Sequence, residues 1–303
     1  MSDKILINTL PTRTWNRLGV NETALVWDEE NTRDLGEIVV SDSAAPFRAD
    51  ISGEGAFSRQ TIRICAPENA QITVFETLNP AQKLHVRTQI SAAKNAVVKL
   101  VQLHTGKRDA LLRSEIEGTC AENARIELIQ LLPGQGDVYS DAHIDLNGDG
   151  ASCNTEIGYL GCGEQTVDVN MVVNHFGRKT NCEINASGAL KDSARKIFRG
   201  TIDFKKGASD SVGNEKETVL MLGDNVVNKT VPLILCAEEN VEGNHGATIG
   251  EMDDETAFYF ESRGIDRQTA ESLLSRAAIE RLARLTGDET IEKAALAALD
   301  EEM

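Results

Sequence analysis

The chain has 303 residues, 41% of them hydrophobic and 26% charged, and a formal net charge of -17 at pH 7. That size and balance suit a folded globular protein with a substantial core, and the acidic excess argues against nucleic acid and for a basic protein surface as partner. No run reaches 18 apolar residues, so no membrane-spanning helix is predicted, and the opening "MSDKILINTLPTRTW" lacks an apolar export segment, so a cytoplasmic protein is expected.

In chain order, residues 1–50 break any repeat and carry both tryptophans, Trp15 and Trp27, within "LPTRTWNRLGVNETALVWDEENTRDLGEIVV". This segment is predicted to cap a sheet edge that would otherwise invite aggregation, with Trp15 packed there or, alternatively, offered to a partner.

Residues 51–249 repeat. Small residues at Ala96, Ala110, Ala124, Val138, Ala151, Thr166, Thr180, Ala194 and Ala208 recur every 13 to 15 residues, most of them preceded by Asn, Asp, Gly or Lys. Most open a short run such as "NARIELIQLL", in which apolar and polar residues alternate as in a half-buried strand. Short repeats that cannot bury their own face stack on their neighbours, which predicts a mainly β solenoid, a parallel β-helix of about 28 residues per coil. Residues one coil apart then form columns: Ile72, Val98, Ile126, Cys153 and Cys182 in one, and Val74, Leu100, Leu128, Thr155 and Ile184 in the next. The six cysteines show no CxxC spacing. In a reducing compartment they are expected as free thiols, with Cys153 and Cys182 acting as small buried hydrophobes. Cys65, Cys120 and Cys162 have no acidic or histidine cluster beside them and receive the same reading.

The repeat ends in "LCAEENVEGNHGATIG", which places Cys236, Glu238, Glu239, Glu242 and His245 within a few residues of one another. Thiolate, carboxylate and imidazole are all iron or zinc ligands, but the spacing matches no closed structural zinc pattern. Two readings stay open: a metal site that is open or shared between chains, and a surface turn with Cys236 packed in the last coil. A Cys236–His245 nucleophilic pair lacks an identifiable orienting group. There is no phosphate-binding Walker sequence.

From residue 250 to 303 the period becomes helical. "DDETAFYFESR" has acids in its first turn and Gly264 beyond its end, and Asp266 caps a second helix, "RQTAESLLSRAAIERLARL". There Leu273, Leu274, Ala277, Ala278 and Leu285 are predicted to form the stripe that packs on the solenoid end. A third helix is predicted from Asp288 to Leu299. Arg263, Arg267, Arg276, Arg281 and Arg284 lie on the remaining faces, available to a second protein.

The stretch "NHGATIGEMDDETAFYFESRGIDRQTAESLL" closely resembles the C-terminal signature of the SufB/SufD family of iron-sulfur cluster assembly proteins. Weaker similarity runs back through "FRGTIDFKKGASDSVGNEKETVLMLGDNVVNKTVPLIL", and "LPTRTWNRLGVNE" resembles the start of short members. The resemblance implies a right-handed parallel β-helix with an N-terminal cap and a C-terminal helical domain. It implies a scaffold subunit and not an enzyme. Such a subunit pairs through its β-helix as a homodimer, or as a heterodimer with a SufB-like solenoid, and docks a SufC-like ABC ATPase through residues 250–303.

It also implies a transient iron-sulfur cluster, or iron, at the subunit interface. His245 then falls on the histidine that SufD-like members contribute, with Cys236, Glu242, Glu238 and Glu239 as further candidate metal ligands. The chain departs from the pattern at two places: Val226 stands where SufB-type scaffolds carry their assembly cysteine, and Gly243 stands where many SufD proteins have one. A reduced flavin is suggested for some family complexes, and nothing in this sequence supports one. The alternatives are a purely structural SufD-like partner without cluster ligands and, outside the family, a β-helix hydrolase or lyase.

Overall fold

The computed structural model describes residues 3–14, 16–41 and 45–300. Trp15 and the last three residues of the acidic tail therefore lie outside the described residues.

Among the described residues, two eight-stranded parallel sheets lie face to face. The first sheet runs from strand Arg33–Val40 to strand Val227–Cys236, and the second from Phe47–Ile51 to Val241–Gly250. Successive strands alternate between the sheets, giving a β-solenoid of about eight turns with about 28 residues per turn. The 14-residue period is thus one strand and one corner. Both predicted columns exist residue for residue: Ile72, Val98, Ile126, Cys153 and Cys182 are successive neighbours across the second sheet, as are Val74, Leu100, Leu128, Thr155 and Ile184.

The repeating punctuation has a conformational cause. Asn69, Asn95 and Asn123 turn one corner with φ of 61°, 57° and 54°, a left-handed conformation that Asn tolerates better than most residues. Asn95 Nδ2 donates to Asn69 Oδ1 at 2.9 Å, so the corner is also laddered. Ala96 and Ala124, next along the corners at Asn95 and Asn123, and Ala151 after Gly150, are fully buried, which is why small residues stand there.

Most of the interior is aliphatic, but one polar ladder runs through it. Gln102 Nε2 donates to Glu76 Oε2 at 2.7 Å and Gln130 Nε2 to Gln102 Oε1 at 2.9 Å, with Thr88, Ser114 and Ser140 satisfying the opposite side. Burial lifts the Glu76 carboxyl from 4.5 to about 7. Cys120, Cys153 and Cys182 are buried, Cys65 and Cys162 are half-buried, and all six cysteines are free thiols.

The N-terminal segment does not simply close the end of the solenoid. Strands Asp3–Ile7 and Thr23–Trp27 pair antiparallel and lie along the outer face of the first sheet, where Trp27 is fully buried edge-on to Phe57. Leu10 and Val20 extend this strap to Val231 in the last coil. A buried ion pair, Arg199 with Asp168, fastens it: Asn8 Nδ2 donates to Asp168 at 2.7 Å and Arg199 Nε to the Val20 carbonyl at 2.6 Å. The first coil begins at Arg33, inside the segment read as a cap.

Three helices follow: α1 (Asp254–Glu261), α2 (Arg267–Leu285) and α3 (Glu289–Asp300). Asp253 and Asp266 cap α1 and α2 by accepting the Thr256 and Thr269 amides. The predicted packing on the solenoid end is corrected by the structure. Helices α2 and α3 lie on the outer face of the second sheet, where Ile279, Leu282, Ala283, Ile291, Ala295 and Leu299 cover Val101, Leu103, Ile129, Leu131 and Leu160.

The reason lies in the strands, whose outward positions there are apolar where other coils carry polar residues, giving the sheet a second hydrophobic face. The buried stripe of α2 is accordingly rotated from the predicted one. Leu273 and Leu285 are about half exposed and Ala277 is exposed, while the side chain of Ala278 lies outside the described residues. Gly158 allows the close approach, since a Cβ there would stand 2.6 Å from Leu282 Cδ1.

Candidate functional site

The last coil has a neighbour on one side only. Strand Val227–Cys236 pairs with Arg195–Phe204, strand Val241–Gly250 pairs with Ser211–Leu222, and each forms the edge of its sheet. Side chains that would be core in any earlier coil are therefore uncovered here.

Register fixes which ones. Cys236 is the neighbour of Phe204, which follows His175 and Leu146 in an inward-facing column of the first sheet. His245 is the neighbour of Glu215, which continues the inward column of Thr155 and Ile184 in the second sheet. Cys236 and His245 are both exposed, because no coil stacks on them. The two sheets thus bring one thiol and one imidazole to the open mouth of the solenoid.

The three glutamates are placed differently. The Glu238 carboxylate folds back on the turn, accepting the Gly207 amide at 2.9 Å and the Glu239 amide at 3.1 Å. These backbone hydrogen bonds, that from Gly207 foremost, hold it below the usual carboxylate range. Glu239 is exposed on the same turn. Glu242 stands on the outward face of its strand and accepts from Asn244 Nδ2 at 3.1 Å. Among the described residues, no three His, Cys, Asp or Glu side chains come together as a metal-holding group. A site built from the five predicted residues therefore needs groups from elsewhere.

Gly243 has a packing explanation. A Cβ there would lie 2.9 Å from Ile234 Cγ2 and 3.1 Å from Phe204 Cε2, so neighbouring side chains occupy the space a cysteine would take. Val226 packs half-buried against the core.

Directly beneath the mouth lies a buried polar cluster that the sequence reading missed. Lys196 forms an ion pair with Glu217, both side chains 1% exposed. Thr230 Oγ1 donates to Glu217 Oε2 at 2.6 Å, and Tyr159 lies 3.4 Å from Glu217 Oε1. Glu215 is 4% exposed, and its Oε2 has no hydrogen-bond partner. Burial, reinforced by the Glu217 charge, pushes the Glu215 carboxyl up to about 8. The signal was present: continuing the Thr155–Ile184 column by one coil lands on Glu215, the first ionisable carboxyl in that column.

The outer surface of the helices carries a different feature. Phe258 and Tyr259 of α1 are 70% and 52% exposed, and the Arg263 guanidinium lies 3.8 Å from the Tyr259 ring centroid. Of the other arginines singled out, Arg276 is paired with Glu280 and Asp300, Arg281 with Glu156, and Arg267 with Glu271. No helix among the described residues is long and apolar enough to cross a membrane.

A family model described as "SUF system FeS cluster assembly, SufBD core domain" matches residues 47–278, from the first coil into α2. The iron-sulfur cluster assembly protein SufD of Bacillus subtilis is 34% identical over 143 residues, 47% of this chain and 33% of that protein. SufD of Escherichia coli is 25% identical over 248 residues, 78% of this chain and 57% of that protein. A SufBD family protein of Staphylococcus saprophyticus is 27% identical over 136 residues, 45% of this chain and 29% of that protein. The matched stretches thus span from about a third to somewhat over half of these curated relatives' lengths. The matched core, the solenoid and its helical tail together make the chain a member of the SufBD family of SUF-system iron-sulfur cluster assembly proteins.

Proposed function

We propose that this chain is a scaffold subunit for iron-sulfur cluster assembly whose working site is the open mouth of the solenoid. The observation that carries the reading is the last coil: two ten-residue strands with one free edge each, and Cys236 and His245 uncovered on inward columns. Long unprotected edges are templates for pairing with another chain. A second solenoid, either another copy or a SufB-like partner, would extend both sheets and close a chamber over the two side chains. Nascent cluster or iron is then the cargo, held by His245 and Cys236 together with the partner's groups, with Glu242, Glu238 and Glu239 at the rim. The exposed aromatic face of α1, together with α2, is where a SufC-like ABC ATPase docks. No reaction is assigned to the chain itself, since hydrolysis belongs to that ATPase.

The test is anaerobic reconstitution with iron and sulfide in the presence of the cognate ATPase, read by visible absorption and bound iron. His245→Ala and Cys236→Ser should each reduce the cluster formed. A second reading, favoured by Val226 and Gly243 at the positions of the family cysteines, makes the chain a structural partner that leaves ligation to the other subunit. Undiminished cluster in the doubly substituted protein would select it.

A further inference from the structure

We infer that Glu215 is the inner ligand of a divalent-cation subsite, lying one coil below His245 and reached through the mouth of the solenoid. The inference rests on the reading of the mouth as the working site and adds to it a residue that the predicted ligand set lacked.

Three observations converge. The first is charge: the cluster beneath the mouth holds two buried carboxylates, Glu215 and Glu217, and one buried cation, Lys196. Lys196 is bonded to Glu217 and Thr230 and reaches Glu215 only through its charge, which leaves that carboxyl without an ion-pair partner of its own in a place where an unpaired ion is costly. The second is an unused acceptor, since Glu215 Oε2 is buried and unpartnered.

The third is position. The Glu215 carboxylate reaches across to Gly200 on the facing sheet, its Cδ 2.4 Å from where a Cβ on Gly200 would stand, so only glycine there lets the carboxylate take this place. Above this floor the register stacks His245 on Glu215 and Pro232 on Gly200. Parallel neighbours lie about 4.8 Å apart, the scale on which one cation bridges two side chains. Carboxylate plus imidazole suits iron(II), manganese(II) or zinc(II), and two protein ligands leave positions open to water or to a partner's donor.

The test titrates the full-length chain, free of ATPase, with manganese(II) or, anaerobically, iron(II), followed by manganese EPR or calorimetry and by the cation-induced rise in Tm. The variants are Glu215→Gln, which keeps shape and removes the charge, His245→Ala, and Glu68→Gln, exposed at a corner of an early coil. The expected result is at least a tenfold loss of affinity, and loss of the Tm rise, in the first two, with Glu68→Gln unchanged. Wild-type affinity in Glu215→Gln, or no saturable cation binding by the wild-type chain, overturns the inference. Cluster reconstitution separates it from the broader reading. Full cluster formation by a Glu215→Gln protein with wild-type cation affinity sinks the subsite alone. Cation binding that depends on Glu215, in a chain that never builds a cluster with its ATPase, sinks the scaffold reading alone.

Discussion

Replacing Glu76 by Gln should make the fold more stable at neutral pH, and the gain should appear along a defined pH course. Glu76 is fully buried and accepts from Gln102 at 2.7 Å and Thr88 at 3.1 Å, yet burial outweighs both bonds and raises its carboxyl from 4.5 to about 7. Below 4.5 both the folded and the unfolded chain hold the proton, so Glu76 adds nothing to the pH dependence. Between 4.5 and about 7 the unfolded chain has released it while the folded chain retains it, so each rise in pH favours unfolding. Above about 7 the penalty is complete and constant.

At about 1.4 kcal/mol per pH unit, that interval costs about 3 kcal/mol. The amide introduced by Glu76→Gln keeps the ladder, accepting from Gln102 and donating to Thr88, and has no proton to lose. Urea unfolding followed by circular dichroism across this range should show the two proteins equal near pH 4.5, with the variant ahead by about 3 kcal/mol above pH 7. The titration of Glu215 runs in the same direction but cancels in the comparison. A difference that stays flat with pH, or a variant less stable above pH 7, would mean that burial does not raise the Glu76 carboxyl.

Leu282→Ala removes a fully buried side chain from the contact between α2 and the second sheet and should cost about 2–5 kcal/mol. Limited proteolysis should then cut within residues 254–300 while the solenoid stays intact. Arg199→Met leaves Asp168 buried without its partner and should cost about 3–5 kcal/mol. Hydrogen exchange should quicken across residues 3–27, and adding Asp168→Leu should recover part of the loss. Gly158→Ala drives a methyl against Leu282 Cδ1 and should loosen the same helical contact without a cavity, visible as a lower Tm.

The solenoid was legible because its cause is local and repeated. Asn, Gly, Asp or Lys turns a left-handed corner, a small residue packs behind it, and alternation does the rest, so the column from Ile72 to Cys182 could be written down from spacing alone. The helical cap at Asp266 was legible for the same local reason. What periodicity could not supply was which surface each appendage covers. The buried stripe of α2 depends on Leu103, Leu131 and Leu160 facing outward from distant strands, and the N-terminal strap depends on an Arg199–Asp168 pair that joins two coils.

At the site, the sequence brought Cys236 and His245 to notice through composition. Their placement on inward columns, one in each sheet, is a matter of register. The hydrogen bonds of Glu238 were not legible, because a carboxylate that caps a turn looks, in sequence, like one with both oxygens free. Glu215 escaped because a glutamate within an alternating strand reads as solvent-facing until its column is counted.

Whether the mouth of the solenoid holds cluster is tested most directly by comparing the iron and sulfide retained by the wild-type and His245→Ala proteins after anaerobic reconstitution with the cognate ATPase and desalting. A bound cluster is expected in the wild-type complex, with its loss or clear reduction in the variant while the complex itself still assembles. Equal cluster content in both, or none in either, would remove His245 and the open coil from the role proposed for them.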